Sequence, residues 1–138
     1  MLDNFGARIA ERALDLVGVP FRLHGRTAEG GLDCIGLVAA TLQSVGFNSP
    51  VPKDYQFRGQ FDGRALQFFG AACFEALAPD QDSSLGDLYM VRVAPRQLHF
   101  IIAVAGGFIH AHAGLRRVVL TPGLVTWPIV GRWRYIGG

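Results

Sequence analysis

The rhythm of apolar positions changes once along this chain, and the change divides it into two unequal parts. Over residues 3–17, Phe5, Ile9, Ala13, Leu16 and Val17 recur at helical spacing. That predicts an amphipathic helix capped by Asp3 or Asn4 and ended by Gly18. Pro20 disfavours helix at Val19, so residues 19–23 read as extended and the polar, Gly-rich residues 24–31 as a loop. A second helix is predicted from Cys34 to Ser44, stopping at Gly46. Residues 47–60, with Pro50 and Pro52, read as irregular. A third helix is predicted over 62–77, with Leu66, Phe69, Cys73 and Leu77 on one face, followed by a loop over 79–84.

After Gly86-Asp87 the apolar runs become short, β-branched or aromatic, and bounded by Gly or Pro. They predict strands over 88–93, 99–105, 108–112, 117–120 and 129–135. Helices first and an antiparallel sheet second make an α+β domain. Gly106-Gly107 is a two-residue hairpin signal, and it pairs Ala105 with Phe108 and Ala103 with His110. In that register His99, His110 and His112 share a sheet face with Ile101 and Ala103. Phe100, Ile102, Val104 and Ile109 share the other.

Half of the 138 residues are apolar and 17% are charged, which fits a single globular domain over 1–138 with a core that needs no staple. The net charge of +2 argues against a dedicated nucleic-acid binder. Arg132-Trp133-Arg134 is the tightest basic group. Its two arginines share a strand face and form either an anion site or, more ordinarily, a solvated edge. Two cysteines without an export signal do not suggest a disulfide, and Cys73 reads as a small buried hydrophobe. Asp3, Glu11 and Asp15 interrupt any signal-peptide core. The longest apolar run, 100–109, is about half of the roughly 20 residues a membrane span needs. The chain is therefore expected to be made in the cytoplasm, soluble and without membrane insertion.

The candidate chemistry begins at Asp33-Cys34-Ile35-Gly36. A thiol in the first turn of a helix meets unpaired N–H groups and the positive end of the peptide dipoles, and both favour thiolate. His99, His110 and His112 are available downstream to take its proton. Together they allow a thiol-peptidase arrangement. Cys34 attacks a carbonyl, His99 takes the thiol proton and later gives it to the leaving amine, and His110 or His112 orients His99. The N–H groups at the helix start, that of Cys34 included, would form the oxyanion hole. The same side chains allow a zinc site, with His110 and His112 at strand spacing and Cys34 or His99 added. Against zinc, no ligand pair has the usual C-x-x-C or H-x-x-x-H spacing and no acidic residue joins the cluster. Taken singly, a cysteine at a helix start and a histidine on a strand are more often structural than chemical.

Read in order, these motifs resemble the NlpC/P60 family of papain-like cysteine peptidases over nearly the whole chain. The likeness consists of Gly18-Val19-Pro20-Phe21-Arg22, the Asp33-Cys34-x-Gly36 motif, Gly86-Asp87-Leu88, the apolar strand after His99, and Phe108-Ile109-His110-Ala111. The resemblance implies a papain-like fold with N-terminal helices packed on a C-terminal antiparallel sheet. It implies Cys34 as nucleophile, His99 as base and His110 as the orienting residue, with no metal or organic cofactor. Simple hairpin register instead places His112 nearer His99; the motif is preferred, with His112 in reserve. The implied substrate is the peptidoglycan stem peptide, cut between D-γ-glutamate and the diamino acid. The compact form and the Gly25-Arg26 loop are similar to phage-tail and gene-transfer-agent peptidases, which implies phage-tail proteins as partners and a place in a particle tail. A structural tail protein retaining the fold with little catalysis is the alternative. Two departures from the family pattern stand out. Phe21 replaces a frequent Tyr, and Ile35 replaces a Ser common in enzymes that recognise a free N-terminal amine on the wall peptide, so an intact or cross-linked stem is expected.

Overall fold

Asn4 opens helix α1 (Phe5–Asp15) by accepting the Ala7 N–H at 3.2 Å on its side-chain oxygen. The structure is a computed structural model and describes residues 4–47 and 72–137. Ile9, Ala10, Ala13 and Leu16 are buried as the helical spacing requires. Val17 is 43% exposed, because it lies past the helix in the turn that Gly18 completes at a φ of +95°.

The stretch expected to be a plain loop holds two short antiparallel strands, β1 (Arg26–Thr27) and β2 (Gly31–Leu32). Phe21 bridges to Leu32, which ties the extended segment after Pro20 to this small hairpin. Helix α2 (Cys34–Gln43) follows at once. Residues Cys34 to Ala39, Thr41 and Leu42 are all buried, since the helix is apolar on nearly every side and lies between α1 and the sheet.

The third helix is the clearest departure from expectation. Its first part, over 62–71, lies outside the described residues, as do residues 48–60 of the segment read as irregular. Its last part is a strand, β3 (Phe74–Ala76), preceded by a turn that carries Cys73 half-buried. The apolar spacing there suits a helix, yet Phe74–Ala76 pairs with Tyr135, Arg134 and Trp133 of the last strand, and this tertiary pairing outweighs local preference.

Five further strands lie where the short apolar runs predicted them: β4 (Leu88–Ala94), β5 (Gln97–Val104), β6 (Gly107–His112), β7 (Arg117–Pro122) and β8 (Ile129–Tyr135). With β3 they make one antiparallel sheet in the order β3-β8-β4-β5-β6-β7. The β5–β6 turn is Ala105-Gly106 rather than Gly106-Gly107, with Gly106 at a φ of +76°. The ladder is thus displaced by two residues, pairing Ala103 with Phe108 and Ile102 with Ile109. A two-residue slip leaves every side chain on its expected face. Met90, Phe100, Ile102, Ile109 and Val118 pack under the two helices, and Tyr89, Val91, Ile101 and Phe108 form a second cluster with Trp127 on the other face.

Arg132 and Arg134 are neither an anion site nor a solvated edge. Arg132 is 7% exposed, donates to the carbonyls of Ala78 and Gln81, and lies 5.6 Å from the Tyr89 ring. Arg134 holds the buried Asp87 carboxylate through Nε at 2.8 Å and Nη2 at 3.0 Å. Both arginines fasten the 78–87 connection onto β8. Among the described residues no helix is long and apolar enough to cross a membrane.

Candidate active site

Asp33 builds the end of α2 on which the site rests. Its buried carboxylate accepts the Gly36 N–H at 2.8 Å as a helix N-cap, the His24 N–H at 2.7 Å, and the Arg26 Nη1 at 3.1 Å. One carboxylate therefore fixes both the helix start and the hairpin before it. Gly36 allows that hairpin to press against the helix: a Cβ there would stand 1.9 Å from the Gly25 carbonyl oxygen. Between these two anchors lie Cys34 and Ile35.

Cys34 and His99 line the same groove, a cavity of about 190 Å³ also bounded by Phe21, Leu98, His112 and Trp127. The β5–β6 ladder ends at Ile102 and Ile109. Past that point no ladder pairing holds β5 against β6. Extrapolation along the hairpin thus no longer decides which imidazole meets His99. The contacts do. His99 Nε2 lies 2.9 Å from His110 Nδ1, with the rings nearly perpendicular at 81°. His112 is occupied elsewhere, its Nδ1 accepting the Leu115 N–H at 3.1 Å.

The hydrogen-bond chain extends one group further than the sequence indicated. His110 Nε2 lies 3.2 Å from Thr121 Oγ1 on β7. Thr121 pairs with Phe108, so it shares a sheet face with His110 two residues along the neighbouring strand. The register of the β6–β7 hairpin was the signal that could have found it. Trp127 was also missed. Its ring centre lies 6.3 Å from that of His99 and 5.6 Å from that of His110, edge-on to both. It arrives from a loop whose local sequence carries no mark of that position.

The electrostatics reverse one expectation. Burial pushes the Cys34 thiol up to about 12, and the Asp33 charge adds to this. The Phe100, Ile35 and Cys34 amides act in the opposite, expected direction and are outweighed. Burial also pushes His99 down to about 3, with His110 and His112 adding to it, and His110 down to about 4, with His112 adding. At rest the Cys34 thiol and the His99 and His110 imidazoles are neutral. Both cysteines are free. Among the described residues no group of three or more His, Cys, Asp or Glu side chains is placed to hold a metal ion.

Comparison with solved structures places the fold. NlpC1 from Trichomonas vaginalis superposes with a TM-score of 0.71 at 21% identity, covering 98% of this chain and 46% of its own. The peptidoglycan hydrolase RipB from Mycobacterium tuberculosis gives 0.63 at 20%, covering 97% of this chain and 66% of its own. The fold is that of an NlpC/P60 domain. RipD from Mycobacterium tuberculosis, a non-catalytic NlpC/p60 domain protein adapted to peptidoglycan binding, gives 0.63 at 18% and covers 97% of this chain and 98% of its own. The NlpC/P60 fold therefore serves hydrolysing and non-catalytic proteins alike. The chain spans about half the length of NlpC1 and of NlpC2 from Trichomonas vaginalis. No sequence-family model matches it, and no curated protein does.

Proposed function

We propose that the protein is a cysteine peptidase that hydrolyses peptidoglycan stem peptides. The observation that carries this reading is the shared groove. It brings Cys34 at the start of α2 together with His99, whose Nε2 is held by His110 and whose Nδ1 has no hydrogen-bond partner among the described residues. His99 Nδ1 is the base in this reading. It takes the thiol proton as the sulfur attacks the carbonyl carbon, and the oxyanion forms against the Cys34 and Ile35 amides. The Gly36 amide is already committed to Asp33. The imidazolium returns the proton to the leaving nitrogen as the C–N bond breaks. Water then adds to the thioester, losing a proton to His99, and the tetrahedral adduct breaks its C–S bond to expel the sulfur as thiolate, which takes that proton back from His99. Because the resting pair is neutral, proton transfer accompanies attack and no thiolate is stored beforehand.

The bond assigned is that between D-γ-glutamate and the diamino acid, a reading supported by the order of the motifs around Cys34, His99 and His110; delivery on a phage-like tail particle is supported by the Gly25-Arg26 loop before the cysteine. The test is incubation with a purified wall stem tetrapeptide and mass analysis of the products. Cleavage by the native protein, lost in both Cys34→Ala and His99→Ala, is expected. Cleavage that persists in Cys34→Ala would remove the mechanism.

The second reading is a non-catalytic wall binder, favoured by the elevated thiol pKa and by the structural likeness to RipD. Stem-peptide binding without turnover by the native protein, unchanged in Cys34→Ala, would select it.

A further inference from the structure

His110 has two ring nitrogens, and each has one partner: His99 Nε2 at 2.9 Å and Thr121 Oγ1 at 3.2 Å. A neutral imidazole donates from one nitrogen and accepts at the other. The direction of the whole chain is therefore set at its far end, by what the Thr121 hydroxyl does. If Thr121 accepts, His110 carries its proton on Nε2, its Nδ1 accepts, and His99 donates from Nε2. His99 Nδ1 then keeps its lone pair. If Thr121 donates, every proton moves to the other nitrogen and His99 presents an N–H in place of a base.

The surroundings favour the accepting arrangement. Thr121 is partly exposed, so its own O–H has water to donate to, and its hydroxyl makes no other hydrogen bond among the described residues. The reversed arrangement would present the His99 Nδ1–H to a groove walled largely by Phe21, Leu98 and Trp127, in which the Cys34 sulfur is only a weak acceptor. The threonine is also held firmly. Its backbone is in register with Phe108 across the β6–β7 ladder, so the hydroxyl is presented from a strand and not from a loop.

We infer that Thr121 is a positioning residue that fixes the tautomer of His110 and, through it, of His99, keeping His99 Nδ1 free as the base. The inference rests on the peptidase reading of Cys34 and His99 and adds to it a fourth member, two hydrogen bonds from the reacting sulfur's partner.

The experiment compares Thr121→Val, which keeps shape and removes the hydroxyl, with Thr121→Ser, which restores it. Long-range 15N–1H correlation spectra of the imidazoles report the tautomers directly and require no substrate. Native protein and Thr121→Ser are expected to show His99 and His110 both protonated on Nε2. Thr121→Val is expected to show mixed or reversed tautomers. On the stem peptide, Thr121→Val should lower kcat up to about ten-fold, the worth of one neutral hydrogen bond, with KM unchanged and full rescue in Thr121→Ser. Native tautomers retained in Thr121→Val, or a native protein protonated on Nδ1 at His99, would overturn the inference. If the native protein cleaves no stem peptide, the peptidase reading fails, while the spectra still decide whether Thr121 sets the tautomers.

Discussion

At the scale of single residues, burial dominates this site. The helix N-terminus alone argues for a reactive thiolate at Cys34, and the amides expected to produce it are present. Enclosure by α2 and the sheet outweighs them, leaving the sulfur protonated. Iodoacetamide should therefore label resting Cys34 slowly at neutral pH, with the rate climbing through and above pH 9. Rapid labelling at neutral pH would indicate a stored thiolate and contradict a neutral pair. Removing the proposed base and removing the residue proposed to hold it should also differ. His99→Ala is expected to lower kcat/KM on the stem peptide by about 10² to 10⁴, the usual range for a general base. His110→Ala should cost less, because it acts through His99. Motifs in the sequence named Cys34, His99 and His110 as candidates, and the fold brings all three to one groove. Thr121 and Trp127 were hidden because their roles depend on which strand and loop stand beside β6, a fact that no local pattern encodes.

At the scale of elements, the start of α2 is the most constrained joint in the molecule. Gly36→Ala would drive a methyl group into the Gly25 carbonyl, which is backbone and cannot swing aside. A loss of about 2–3 kcal/mol in unfolding free energy is expected, read from the shift in urea midpoint. Asp33→Ala should cost about 3 kcal/mol, since it removes a helix cap and leaves the mostly buried Arg26 without that carboxylate. A midpoint that hardly moves in either variant would mean that the hairpin and helix do not share this anchor. The strands after Gly86 were readable because each buries one face or both and is punctuated by turn residues. The register of β5 against β6 was not, because Ala105-Gly106 and Gly106-Gly107 are both acceptable two-residue turns. β3 was misread for a related reason. Three residues of apolar pattern cannot reveal a partner some sixty positions away.

At the scale of the whole molecule, the buried neutral groups bound the pH range of greatest stability. His99 and His110 are depressed to about 3 and about 4 from an ordinary 6.5, so below 6.5 the unfolded chain takes up protons that the folded one refuses. Stability should fall as pH drops from about 6.5 towards 4 and below. Cys34 is raised to about 12 from 9.0, so above 9 the unfolded thiol ionises while the folded one does not. Stability should fall again as pH rises from about 9 towards 12. Denaturation midpoints across this range test both slopes; a midpoint that stays level below 6.5 would mean that the imidazoles are charged in the fold. The strand order carries a different consequence. β8, the last in sequence of the described strands, fills the place between β3 and β4. A nascent chain that has emerged only as far as β7 has a vacant lane in the interior of its sheet, with two unsatisfied strand edges facing each other. Final closure of the sheet must wait for Ile129–Tyr135, and a half-made copy stalled before that point would offer any passing extended peptide a ready slot.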